Sequence, residues 1–172
     1  MAYRTRVYIA GDWTSDRNLI DRLRQWNESD YWSLSFSDAH DLTQARDSSL
    51  PCSIKRSLRE RLEGSKTFVL IAGAQTKLLT KGGCRYCSRY DGRWHDCQSG
   101  YSVDQRSFIE FECDYALEHG LKVVVLYNST RVDRNKCPDA LRYTGTHVAA
   151  GCVDRMGTWC WNYPAIRKAL EG

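Results

Sequence analysis

Short runs of apolar, largely β-branched residues recur along this chain, and the stretches between them carry apolar residues at helical spacing. RVYIA (6–10), KTFVLIA (66–72) and KVVVLY (122–127) are too short for buried helices and read as strands. Between the first two, Leu19, Ile20, Leu23 and Trp26 predict an amphipathic helix over 16–27, capped by Thr14 or Ser15, and Ile54, Leu58 and Leu62 predict a basic helix ending at Gly64. A third helix is expected over 103–119, stopping at Gly120. Weaker strands are expected at 32–36 (WSLSF) and 146–150 (THVAA), followed by an aromatic loop with Trp159 and Trp161 and a short helix from Pro164 to Leu170. Parallel strands need crossover connections, usually helices. The alternation therefore predicts an α/β fold, a flavodoxin-like doubly wound parallel sheet of about five strands.

At 172 residues the chain has room for one domain, 1–172. Residues 73–101 break the rhythm, being long, rich in Gly and Cys and without periodicity, and an insertion is expected at 77–104. Hydrophobic residues make up 42% and charged residues 27%, enough for a packed core. The net charge of +4 is scattered, and nothing in it calls for a nucleic-acid partner. No apolar run approaches the ~18 residues of a membrane span, and the first residues lack the apolar stretch of a signal peptide, so the expected compartment is the cytoplasm. Eight cysteines in such a chain are expected to be reduced thiols.

In doubly wound sheets ligands settle beyond the carboxyl ends of the strands, where neighbouring crossovers diverge; here that means the loops 11–15 and 73–101. Neither a dinucleotide fingerprint nor a Walker phosphate loop is present. Asp12, Asp38 and Asp41 near strand ends suggest a phosphorylatable receiver, but KVVVLYNST offers Asn128 and Ser129 where a receiver needs Lys, and caps and turns account for these aspartates. Glu112 is the most informative residue. On the third helix Phe108, Ile109, Cys113 and Ala116 form an apolar arc, and Glu112 projects into its middle, while Glu110, Asp114 and Glu118 fall on the opposite side. An inward carboxylate is either paired with an Arg or backbone amides, or functional.

Cys84-x2-Cys87 with His95 and Cys97 places four soft ligands in an otherwise structureless loop. Structural zinc, unliganded thiols and a redox-active C-x-x-C pair all fit that pattern. Cys52 and Cys113 read as buried apolar residues. Trp13 could flank a flat ligand, although core packing is the commoner role for such a residue. SIKRSLRERLEG reads as a solvated basic face or a docking surface.

Three segments resemble the TIR-like domains of the Thoeris antiviral defence systems: RVYIAGDWTSDRNLIDRL, SIKRSLRERLEGSKTFVLIAGAQT and RSFIEFECDYALEHGLKVVVLYN. The resemblance implies an NAD+-consuming enzyme that cleaves the nicotinamide–ribose bond and releases an ADP-ribose product, linear or cyclic. That product would act on an effector protein that senses it, and self-assembly is implied as well. Matched residue by residue, the third segment puts the family's catalytic glutamate on Glu112, with Phe108, an expected substrate-binding residue, in place of a Trp. Gly11, Asp12 and Trp13 would line the opposite wall of the substrate cleft. Many relatives in the wider superfamily only bind partners, so a non-catalytic module is the alternative that the resemblance leaves open.

Overall fold

The structure, a computed structural model, describes residues 5–32, 34, 36–38 and 50–172. Its elements run β1 (Thr5–Ala10), α1 (Arg17–Glu28), β2 (Phe36–Asp38), α2 (Pro51–Glu63), β3 (Thr67–Ala72), β4 (Tyr90–Asp91), β5 (Asp96–Cys97), α3 (Phe108–Glu118), β6 (Lys122–Tyr127), β7 (Thr146–Ala149), β8 (Gly151–Val153), β9 (Trp159–Trp161) and α4 (Tyr163–Glu171). The main sheet has five strands in the order β2-β1-β3-β6-β7, and every pairing in it is parallel. This is the flavodoxin-like order that the alternating pattern predicts.

Side chains alternate across the pleat and so sort into two cores. Tyr8 and Ala10 of β1, with Phe68, Leu70 and Ala72 of β3, pack under α2 and α3. Val7, Ile9, Val69 and Ile71 pack on the other face against α1 and α4. β3 is buried along its whole length, as the middle strand of a sheet covered on both sides should be.

Several boundaries differ from the expected ones for local reasons. The strand expected at 32–36 is β2, Phe36–Asp38, and Ser33 and Ser35 lie outside the described residues. The residue before α1 is Asp16, whose carboxyl makes no cap bond and is used elsewhere, so neither Thr14 nor Ser15 is the cap. α3 begins at Phe108, five residues later than expected, because Ser107 closes a capping box there: its hydroxyl accepts from the Glu110 amide and the Glu110 carboxylate accepts from its own. The aromatic loop near the end is a hairpin, β8–β9, in which Trp159 stands opposite Val153 and Trp161 opposite Gly151. Trp161 and Tyr163 then pack edge-on against Trp26 of α1.

The insertion leaves β3 through a turn at Thr76–Leu78 and contains a turn at Cys84–Tyr86 and the β4–β5 hairpin. It returns to where it left, since the Phe108 amide donates to the Lys81 carbonyl at 2.9 Å. Lys55 of the basic helix does not lie on a solvated face. It is 6% exposed, donates to the Arg106 carbonyl at 2.7 Å and pairs with the Asp104 carboxylate at 3.2 Å, tying α2 to the returning segment of the insertion.

Candidate functional site

Glu112 points inward, as its place on the helix predicts, and is 3% exposed. The buried arc of α3 is wider than expected, because Phe111 and Tyr115 are buried as well; α3 packs beside α2 as well as onto the sheet. The phenol of Tyr8, reaching up from β1, donates to Oε1 of Glu112. Burial raises the carboxyl from its ordinary 4.5 to about 7, against which the Tyr8 hydrogen bond and the charge of Arg61 act in the opposite direction. The result is a buried carboxylate that titrates near neutrality.

Phe108 sits one turn before Glu112, half-buried against the same core. The structure does not bring Gly11, Asp12 and Trp13 to that place. Gly11 follows β1 against Ile71, Asp12 accepts from the Thr14 amide at 3.1 Å in a local turn, and Trp13 packs with the α1/α4 core under the guanidinium of Arg24, 4.8 Å from the ring centre. The expected opposite wall is therefore on the other face of the sheet from Glu112. The reason is topological: the loop after β1 turns toward α1, whereas α3 covers the α2 side.

At the carboxyl ends of β1, β3 and β6 the structure gathers a different set. Asp16 is 2% exposed; its Oδ1 accepts from Asn128 Nδ2 at 2.9 Å, and its Oδ2 faces the Thr76 hydroxyl at 3.5 Å. Gly73 lies against this carboxyl so closely that a Cβ there would run into it. Burial raises the Asp16 carboxyl, and Asp12 adds to the rise. These residues escape a reading of the sequence because Asp, Thr and Asn after strands look like caps and turns; the only signal is that three post-strand loops each supply one polar side chain. Of the receiver-type aspartates, Asp41 lies outside the described residues and the Asp38 side chain is not among those described.

Beside this cluster an open cavity of about 230 Å³ runs from Thr76 and Lys77 past Arg106 and Glu110 to Asp114 and Asp139. Its charges are largely neutralised within it: Lys77 meets Asp139 at 2.8 Å and Arg106 meets Asp114 at 2.9 Å. Glu112, on the adjacent side of α3, does not line it.

In the insertion, Cys84 and Cys97 are buried and Cys87 is half-buried, but His95 is exposed. His95 sits in the β4–β5 turn with φ of 52° and its Nδ1 is bonded to the Tyr90 hydroxyl at 2.9 Å. The expected set Cys84, Cys87, His95 and Cys97 is thus not brought together, because the hairpin turn carries His95 outward. Cys52, expected as a buried apolar residue, is half-buried at the start of α2. Among the described residues no three His, Cys, Asp or Glu side chains stand as a preformed metal shell, and no helix is long and apolar enough to cross a membrane.

Residues 8–80 match the family model described as Thoeris protein ThsB, TIR-like domain. The match runs from the middle of β1 to just beyond the turn that follows β3, somewhat under half of the chain, and ends in the first residues of the insertion, before its cysteines and α3. No curated protein matches the chain.

Proposed function

We propose that this chain, TIR-like over residues 8–80, is an NAD+-consuming enzyme of antiviral defence. In this reading it breaks the bond between nicotinamide and ribose and hands an ADP-ribose product, linear or cyclic, to an effector that senses it. The observation that carries the reading is Glu112, a carboxylate with 3% exposure in an otherwise apolar core, held by Tyr8 and titrating at about 7. Carboxylates are seldom left in such a place without a task.

The chemistry asks for little else. Nicotinamide leaves as a neutral molecule from a cationic glycoside, so the leaving group needs no general acid. The C1′–N bond breaks with its electron pair going to nicotinamide, and positive charge develops on the ribose. An ionised carboxylate in a site that excludes water stabilises that charge far more than it would in bulk solvent. Water then adds at C1′ and releases a proton, or a nucleophile of the same ADP-ribose closes a ring. Because Glu112 is covered in the structure, turnover on this reading includes a step that uncovers it, which makes activity responsive to self-assembly or to an infection cue.

Purified protein incubated with NAD+ should release nicotinamide. Glu112→Gln, which keeps the acceptor for Tyr8 and removes the charge, should abolish release, while Glu118→Gln on the exposed end of α3 should leave it unchanged. Full turnover by the Glu112 variant would sink the assignment. Absence of release from the wild type under every condition that drives it to assemble would favour the alternative, a TIR-like interaction module whose buried glutamate is only an internal hydrogen-bond acceptor.

A further inference from the structure

We propose that the insertion is fastened to α2 by one zinc ion held by Cys52, Cys84, Cys87 and Cys97, a site independent of the NAD+ reading. These four cysteines come from three separate places, the first turn of α2, the Cys84–Tyr86 turn with its next residue, and β5. All four line a single void of about 10 Å³, shared with Tyr90 and Tyr101. A void of that size has room for one small occupant and none for an organic ligand.

The backbone around the sulfurs is already arranged for negative charge. Cys84 Sγ accepts from the Asp104 amide at 3.2 Å, and Cys87 Sγ accepts from the Arg89 amide at 3.4 Å. Such N–H···S bonds orient metal-bound thiolates and stabilise them from outside the shell. Four thiolates around a dication leave a net charge of −2, and cations stand close by: Arg85 lies within the knuckle and Arg89 two residues after it, and Arg56 of α2 lies over Tyr101, 5.8 Å from the ring centre. Cys52 adds the amino end of α2, whose first turn has no acidic residue and whose N-cap, Leu50, offers no side-chain acceptor.

Four sulfurs are the ordinary set for a closed structural zinc site, and C-x2-C followed by a hairpin-borne Cys has suitable spacing. The shell is not preformed, so binding draws the sulfurs inward about their single side-chain torsions and releases the thiol protons. The energetic reason for a metal is the composition of the segment. Between Gly82 and Arg106 few apolar side chains are buried, too few to offset the entropy of ordering so much chain.

Metal content is measured in protein purified without chelators, and zinc and cobalt(II) are titrated separately into reduced, chelator-treated protein. One metal per chain is expected, with cobalt giving the absorption of a tetrahedral all-thiolate site. Cys52→Ala and Cys87→Ala should each weaken zinc binding by about a hundredfold or more, since loss of a ligand costs at least what loss of an outer-shell partner costs; circular dichroism checks that each variant is folded. His95→Ala should bind as the wild type does. The proposal is overturned if the wild type neither carries nor takes up zinc, if Cys52→Ala binds it undiminished, or if His95→Ala loses it.

Discussion

At the scale of single residues, the informative ones are polar groups inside apolar surroundings. Glu112 binds its proton more tightly folded, at about 7, than unfolded, at 4.5. Between those values the native state carries the proton and the unfolded state does not, so stability falls as pH rises through that window. The loss is on the order of 3 kcal/mol. Glu112→Gln should escape it, and urea unfolding of the two proteins at pH 5 and pH 8 should show the wild type weakening by more than the variant, in which the raised Asp16 carboxyl is still present. If Glu112 is the essential carboxylate, nicotinamide release rises with pH to a plateau above its pKa, and Tyr8→Phe, which removes a bond that lowers that pKa, should move the acid limb of the profile upward. Gly73→Ala should cost about 2 kcal/mol, because its methyl has to displace the Asp16 carboxyl; the shift in denaturant midpoint reads this directly. Glu112 is legible in the sequence because one helix face decides its direction. Asp16 is not, since its partners Thr76 and Asn128 are 60 and 112 residues away and only the sheet order makes them neighbours. Trp13 misleads for the same reason: its place in the sequence after β1 says nothing about which face of the sheet the loop will follow.

At the scale of elements, strands and helices with their own periodicity emerge close to where spacing places them, and the late start of α3 comes from capping chemistry. The stretch 103–107 has helical spacing but not helical structure, because Ser107 and Glu110 satisfy each other at the start of α3. Ser107→Ala should therefore destabilise the protein by about 1 kcal/mol and fray the first turn of α3, visible as faster amide exchange at Glu110 and Phe111. The β8–β9 hairpin is hidden in the sequence by its Trp-rich composition and the brevity of its strands. β4 and β5, two residues each, are beyond any periodicity argument.

At the scale of the molecule, the insertion is attached to the body of the sheet and its two cores by polar bonds. Lys55 makes several of them, to Asp104 and Arg106. Lys55→Met keeps the stem but strands the Arg106 carbonyl, a cost of roughly 1–3 kcal/mol, and should raise hydrogen exchange across 82–106 while leaving β3 and β6 protected. The bond between the Phe108 amide and the Lys81 carbonyl has its own consequence. Because the excursion starts and finishes at adjacent points, the framework meets the same span whether the intervening chain is long or short, and loop length changes closure entropy only slowly. Residues 82–106 are in that sense a removable cassette: exchanging them for a few Gly and Ser residues, with the Ser107 cap of α3 kept, should leave a foldable sheet, and the same port should accept a foreign domain.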